Sequence, residues 1–137
     1  VARVSIEIIM GLPGDSPEQF RSSFHRARSF LCALRVYHCC VLPSALMVRS
    51  PPEHAINYDP VTLKMRSCLG WTEEAMLREC DFLDQQTRSN GGSTGEYFWV
   101  FSAPERYSKG ERLGVSPPCP EIYPAGSTSA TTGERGT

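Results

Sequence analysis

The chain has 137 residues, and its 14 basic and 15 acidic side chains give a formal net charge of −1. This length is enough for one small domain with a modest core. The near balance of charge argues against electrostatic attraction to nucleic acid or to an anionic membrane. No apolar run approaches the roughly 20 residues that a membrane-spanning helix needs, and no signal peptide is recognisable. The sequence therefore predicts neither nucleic acid nor membrane as a partner.

The first predicted element is a buried strand over residues 4–10, which are rich in β-branched side chains and are ended by Gly11. The chain starts at Val1 rather than at a methionine and enters this strand almost at once. We therefore expect it to be a segment of a longer protein. The strand runs into an abrupt corner with the sequence GLPGD over residues 11–15.

A helix is predicted to follow the corner. Ser16 suits the N-cap, Pro17 suits the first helical position, and Gln19 completes the spacing of a capping box. Apolar residues then recur at steps of three and four, which predicts a helix of about 18 residues with one apolar stripe. The residues of this stripe are Phe20, Phe24, Ala27, Leu31 and Leu34. A second strand is predicted over 36–42, and the order strand, helix, strand predicts parallel pairing with a right-handed crossover.

The residue pattern in the second half of the chain predicts a loop, a helix and a strand. Residues 49–61 contain three prolines and favour a surface loop. Thr72 is a suitable helix cap, and the apolar side of the helix is predicted to consist of Met76, Leu77, Cys80 and Leu83. The Asn-Gly-Gly sequence at 90–92 is expected to end this helix, and residues 96–101 are predicted to be the last strand.

The chain is thus divided into three parts: 1–48, a strand–helix–strand unit; 49–103, an extension of loop, helix and strand; and 104–137, whose Gly, Pro, Ser and Thr content predicts a disordered tail. Six cysteines occur, at 32, 39, 40, 68, 80 and 119, without C-x-x-C spacing. We expect them to be reduced, buried thiols of a cytoplasmic protein, with neither a disulfide framework nor a metal site.

The corner at 11–15 allows two interpretations. Ligands of parallel α/β sheets bind at the carboxyl ends of strands, and Gly11 and Gly14 permit close approach and unusual backbone angles. The amides at 16–19 open a helix, where an anionic group is favoured. The corner nevertheless lacks the lysine of a P-loop and the spacing of a dinucleotide fingerprint. From the residues alone, a plain tight turn and a ligand site both stay open.

Four segments in order carry a resemblance to a known family. They are IEIIMGLPGDSPEQF at 6–20, the strand ending in VLP at 41–43, YDP at 58–60, and WTEEAML at 71–77. Together they resemble the C-terminal part of radical S-adenosylmethionine enzymes, in particular the subgroup with a cobalamin-binding domain. The resemblance covers roughly residues 4–101. It departs from the family at Ser44 and Ala45, where Gly-Thr is usual, and the C-x-x-x-C-x-x-C loop that holds the [4Fe–4S] cluster is absent from this chain.

The resemblance implies an α/β fold, the C-terminal part of a partial (β/α)6 TIM-like barrel with a small α+β extension. It implies S-adenosylmethionine and a [4Fe–4S] cluster as cofactors and, for the cobalamin-binding subgroup, cobalamin, with the cluster ligands and any cobalamin domain in the missing N-terminal half of the protein. The residues expected to bind S-adenosylmethionine are Ile9, Gly11, Leu12, Pro13, Gly14, Val41 and Leu42. No catalytic residue and no metal ligand is expected in this segment, which alone is expected to be inactive.

The implied activity is that of a methyltransferase, or of a related enzyme that modifies carbon skeletons, acting on a small-molecule or peptide substrate. A radical S-adenosylmethionine oxidoreductase without cobalamin is one alternative. The other is a non-catalytic α/β module that binds a nucleotide or a protein.

Three further features allow a functional and a structural interpretation. Glu7 contacts a ligand if it points into a barrel, and otherwise is solvated or paired. His38 is either a ligand-binding residue or a hydrogen-bonded core histidine, the latter being commoner. The aromatic residues at 97–99 either close a substrate pocket or belong to the core.

Overall fold

The computed structural model describes residues 4–104, so the predicted tail at 104–137 lies, but for its first residue, outside the described part of the chain. The described residues form two α-helices, six short strands and two 3-10 turns, at Leu46–Arg49 and Pro52–His54. The regular elements are β1 (Ser5–Met10), α1 (Pro17–Ser29), β2 (Ala33–His38), β3 (Asn57–Tyr58), β4 (Met65–Ser67), α2 (Glu73–Ser89), β5 (Ser93–Thr94) and β6 (Phe98–Phe101). None of the helices in the described range is long and apolar enough to cross a membrane.

The main sheet has four strands in the order β1-β2-β6-β5. β1 and β2 are parallel, with partners running from Ser5↔Ala33 to Met10↔His38, so the predicted strand–helix–strand unit is confirmed. The predicted bounds of the second strand, 36–42, are wrong, because its pairing with β1 starts at Ala33 and ends at His38. β6 then pairs antiparallel with both β2 and β5. The predicted α/β class is correct. The described strands form an open sheet, and the partial barrel stays a prediction.

The predicted helix of about 18 residues is too long, because α1 has 13 residues and ends at Ser29. Its start was predicted correctly, since the Ser16 hydroxyl accepts a hydrogen bond from the Gln19 amide at 3.2 Å. Leu31 is exposed, and Leu34 is fully buried in β2 rather than on a helix. The apolar spacing continues by coincidence into the strand, where pairing with β1 and β6 determines the conformation of Leu34.

The core lies between both helices and one face of the sheet. Phe20 and Phe24 of α1 and Leu83 of α2 join a buried cluster with alternate strand residues. The strand residues in this cluster are Met10, Leu34, Val36, Trp99 and Phe101. The intervening residues form the opposite face, here called the open face: Glu7, Ile9, Arg35, Tyr37, Phe98 and Val100, all exposed or half-buried.

In the second half, the predicted cap and end of the helix are confirmed. Strands β4 and β5 were not predicted, and β6 begins at Phe98 rather than at residue 96. Thr72 caps α2 by accepting a hydrogen bond from the Ala75 amide at 3.1 Å, and the helix ends before the Asn-Gly-Gly sequence. Leu77 does not lie on the apolar side, because it is 61% exposed on the outer surface of α2. The predicted loop at 49–61 contains the second 3-10 turn and strand β3, which pairs with β4. This pairing is not encoded by any local alternation, since β3 has only two residues, both exposed.

Candidate functional site

An apolar cleft of about 490 Å³ lies at the carboxyl ends of β1 and β2; we call it the strand-end cleft. Parallel strands end at the same edge of a sheet, so residues distant in sequence meet there. The walls of the cleft come from the end of β1, the GLPGD corner, the end of β2 with the residues after it, and the loop before β4. The lining residues are Ile9, Leu12, Tyr37, His38, Cys39, Cys40, Leu42, Met47, Thr62, Leu63 and Tyr97.

The structure brings together three of the seven residues that the resemblance assigns to S-adenosylmethionine. Ile9, Leu12 and Leu42 line the strand-end cleft. Ile9 and Leu42 are 45% and 53% exposed, so their side chains are accessible to a ligand. Val41 is buried and lines a neighbouring cavity of about 310 Å³. The other three, Gly11, Pro13 and Gly14, line neither cavity.

Gly11 has a close neighbour within the protein. Its φ is +90°, and a Cβ placed on it would lie 2.7 Å from the Cε atom of Met76. The positive φ favours glycine at this position, whereas the Met76 side chain, which is flexible at its end, could move to make room for a Cβ. The face of Gly11 that was predicted to admit a ligand contacts the Met76 side chain of α2, and a direct ligand contact there stays a prediction.

Most amides of the corner donate to acceptors of the protein itself. The Gly14 amide donates to the Leu69 carbonyl at 2.9 Å, and the Asp15 amide donates to the Leu12 carbonyl at 3.1 Å. The Ser16 amide donates to Asp15 Oδ1 at 2.8 Å, and the Gln19 amide is occupied by the N-cap hydroxyl. Two of the amides expected to attract an anion are thus already used. The corner is better suited to forming one wall of an apolar cleft than to holding a phosphate.

The four segments that carry the family resemblance lie against one another. The Cys68 thiol donates to the Gly11 carbonyl at 3.4 Å, just before the segment that begins at Trp71. The Trp71 ring contacts Phe20 edge-on, with 6.0 Å between ring centroids. Residues that follow the YDP turn reach the segment after β2, where the Val41 amide donates to the Leu63 carbonyl at 2.8 Å. The contacts therefore link the segments within one packed structure, of which Ile9, Leu12 and Leu42 line the cleft.

His38 is a hydrogen-bonded core residue that also lines the cleft, so the commoner of its two predicted roles is confirmed. Its Nε2 lies 2.7 Å from the Met65 carbonyl oxygen, which assigns the proton to Nε2. Nδ1 is then the acceptor for the Cys80 thiol at 3.5 Å. Burial lowers the pKa of His38, and the nearby Lys64 lowers it further, while the bond to Met65 acts in the opposite direction.

The thiols near the cleft are protonated. Burial raises the pKa of Cys39 to about 12, and raises that of Cys68 and of Cys80 to about 11. Deprotonated thiolates are the form that attacks electrophiles and binds metals, so these side chains are poor nucleophiles. Within residues 4–104, no group of three His, Cys, Asp or Glu side chains is placed to hold a metal ion.

Several cleft residues were not identified from the sequence. Tyr37 and Leu63 were not predicted as site residues, because their position at the cleft depends on strand pairing and on the loop before β4. Tyr37 lies beside Ile9 because the two are partners in the register of β1 and β2, which the local sequence does not reveal. Of the aromatic residues at 97–99, Trp99 belongs to the core, whereas Tyr97 lines the cleft and its role in closing a substrate pocket stays a prediction.

Comparison with protein-family models, with curated proteins and with solved structures found no match to this chain.

Proposed function

We propose that this chain is the C-terminal part of a radical S-adenosylmethionine enzyme and that the strand-end cleft binds the adenosine end of S-adenosylmethionine. The observation that carries the proposal is that Ile9, Leu12 and Leu42, which the resemblance assigns to this ligand, line one cleft at the carboxyl ends of two parallel strands. Strand ends are where ligands of such sheets bind. The proposed enzyme is a cobalamin-dependent methyltransferase or a related enzyme that modifies carbon skeletons.

The character of the cleft suits a flat, weakly polar ring. Its walls are aliphatic side chains together with the rings of Tyr37 and Tyr97. Small-molecule sites are concave and largely apolar, with a few polar groups that fix orientation. In the proposed enzyme, Ile9 and Leu42 would contact the adenine ring, and Leu12 would exclude water from it.

The redox chemistry of the proposed enzyme belongs to groups held by other parts of the protein. When bound, a [4Fe–4S] cluster supplies the electron that cleaves S-adenosylmethionine to a radical. Its ligands are proposed to come from a C-x-x-x-C-x-x-C loop outside this chain, because Cys39 and Cys68 are buried, Cys80 is half-buried, and burial raises the pKa of all three thiols. The residues described here would bind and orient the nucleoside.

The proposal also includes the partial barrel. In it, β1 and β2 are the last two barrel strands, the helices lie outside, and the open face lines the lumen. Two observations support this arrangement: both helices cover the same face of the sheet, and β1 lies at the edge of the described sheet, where a preceding strand can pair.

Titration of the 137-residue chain with S-adenosylmethionine, followed by NMR, tests the proposal. Leu42→Arg introduces a long cation at the cleft and should weaken binding at least about tenfold. Leu77→Arg is the matched control, because Leu77 is similarly exposed but lies on the outer surface of α2. Absence of saturable binding to the unsubstituted chain, or equal binding by both variants, would contradict the use of the cleft. It would favour the non-catalytic module instead.

A further inference from the structure

The ion pair between Glu7 and Arg35 lies on the open face beside the strand-end cleft. The two residues are direct partners across β1 and β2. Two positions further along each strand, Ile9 and Tyr37 are also partners, and both line the cleft. Alternate residues of a strand share a face, so the ion pair and the cleft wall form one continuous surface.

The pair is loosely held and accessible. Arg35 Nη1 lies 3.4 Å from Glu7 Oε1, and the two side chains are 52% and 53% exposed. Charge-assisted hydrogen bonds between such groups are usually about 2.7–2.9 Å long, so this contact is weak. Most of the guanidinium N–H groups and the second carboxylate oxygen are left without a partner among the described residues. A ligand can therefore displace the contact at little cost.

The two charges match an ammonium group and a carboxylate held on neighbouring atoms. Arg35 presents planar donors that suit a carboxylate, and Glu7 accepts from an ammonium group. A strand rises about 3.3 Å per residue, so Glu7 and Ile9 are about 7 Å apart along β1. This separation corresponds to the distance from the charged end of an α-amino acid to the end of a mid-sized apolar side chain.

We infer that Glu7 and Arg35 bind the zwitterionic end of an amino-acid substrate or peptide terminus whose apolar side chain reaches Ile9 and Tyr37 at the edge of the strand-end cleft. The inference rests on the proposed function, since it places this substrate next to the adenosine. It names the substrate class that the proposed enzyme would accept. The ion pair occupies the subsite in the absence of substrate and opens when the ligand binds.

Three probes that share the isobutyl side chain of leucine test the inference on the ¹⁵N-labelled 137-residue chain. Leucine carries both charges, isoamylamine carries only the ammonium group, and 4-methylpentanoate carries only the carboxylate. Leucine at millimolar concentration should shift the amide signals of β1 and β2 saturably. Each single-charge analogue should bind about fivefold more weakly, because it loses one charged contact. Equal binding of all three would overturn the inference.

Variants separate the subsite from a general effect of charge. Glu7→Gln and Arg35→Gln should each weaken leucine binding about fivefold. Arg26→Gln should not, because Arg26 is an exposed residue of α1 on the helix side of the sheet. Retained dispersion of the amide spectrum verifies that each variant is folded. Leucine binding that is unchanged in both substituted chains would refute the assignment.

Measuring the binding of both leucine and S-adenosylmethionine to the same samples separates a failure of this inference from a failure of the proposed function. Unchanged S-adenosylmethionine binding by Arg35→Gln, with leucine binding weakened as predicted, supports the subsite. If S-adenosylmethionine binds and leucine fails to bind to the unsubstituted chain, the amino-acid subsite is wrong while the adenosine site stands. If leucine binds and S-adenosylmethionine does not, the adenosine assignment is wrong.

Discussion

Gly70 lies with its Cα directly against the main-chain carbonyl of Asp15. The Gly14 amide next to this contact donates to the Leu69 carbonyl at 2.9 Å. The loop before α2 and the GLPGD corner after β1 are therefore packed backbone to backbone. The shape of the corner is determined by a partner more than fifty residues later in the chain, as well as by its own glycines and proline.

This contact predicts that Gly70→Ala strongly destabilises the protein. A methyl group at Gly70 would collide with the Asp15 carbonyl, and φ at this position is +89°. Gly14→Ala is the matched control, because φ is +87° but the space around it is open. Urea denaturation should show a loss of about 1–2 kcal/mol for Gly14→Ala and at least about 2 kcal/mol more for Gly70→Ala. Equal losses would mean that the loop moves away from Asp15 without cost.

Because of His38, we expect the folded protein to lose stability at mildly acidic pH. Its pKa is lowered in the folded state from the ordinary value of 6.5, chiefly by burial. Below that value the unfolded chain binds a proton that the folded chain resists, so the free energy of unfolding falls as the pH drops. Urea denaturation at about pH 7.5 and about pH 5.5 measures the difference.

His38→Gln should remove much of this pH dependence, whereas His25→Gln should preserve it because His25 is exposed on α1. The groups that face His38 are Cys80 of α2 and Lys64 of the segment before β4. A chain whose stability is the same at both pH values, before any substitution, would exclude the effect.

The thiols are predicted to react with iodoacetamide in a definite order. Cys39, Cys68 and Cys80 should be protected at mildly alkaline pH, because burial raises their pKa values to about 11 or 12. Cys32, just before β2, is only half-buried and should be alkylated before these three thiols. Peptide mass spectrometry measures each rate separately. Rapid labelling of Cys39 in the folded chain would indicate that the region beneath the cleft opens.

Two ion pairs should differ in how much they contribute to stability: Arg21–Glu79, whose carboxylate is buried, and Arg35–Glu7, which is exposed on both sides. The Glu79 side chain is 2% exposed, and its Oε2 accepts from Arg21 Nε at 2.8 Å. Arg21→Met leaves the buried carboxylate without this partner and should cost about 3 kcal/mol of stability. Arg35→Met removes the exposed partner of Glu7 and should cost less than about 1 kcal/mol. Similar denaturation midpoints for the two variants would contradict the contrast.

The sequence by itself determined the features that depend on neighbouring residues. Ser16 and Thr72 cap their helices because a side-chain oxygen needs only the amide three residues later. The strand–helix–strand order and the α/β class were predictable because apolar periodicity reports which face of each element is buried. The family resemblance, rather than a local signal, identified Ile9, Leu12 and Leu42, which line the strand-end cleft.

Only the tertiary structure decided the features that depend on distant partners. Leu34 continues a helical spacing but belongs to β2, since hydrogen bonds to β1 and β6 outweigh a local pattern. Gly11 was predicted to admit a ligand, yet its free space is occupied by Met76 from α2. Glu7 and Arg35 become neighbours of the cleft only through the register of β1 and β2. The physical reason is common to all three: a contact between residues far apart in the chain depends on how the elements pack, and local sequence does not encode that packing.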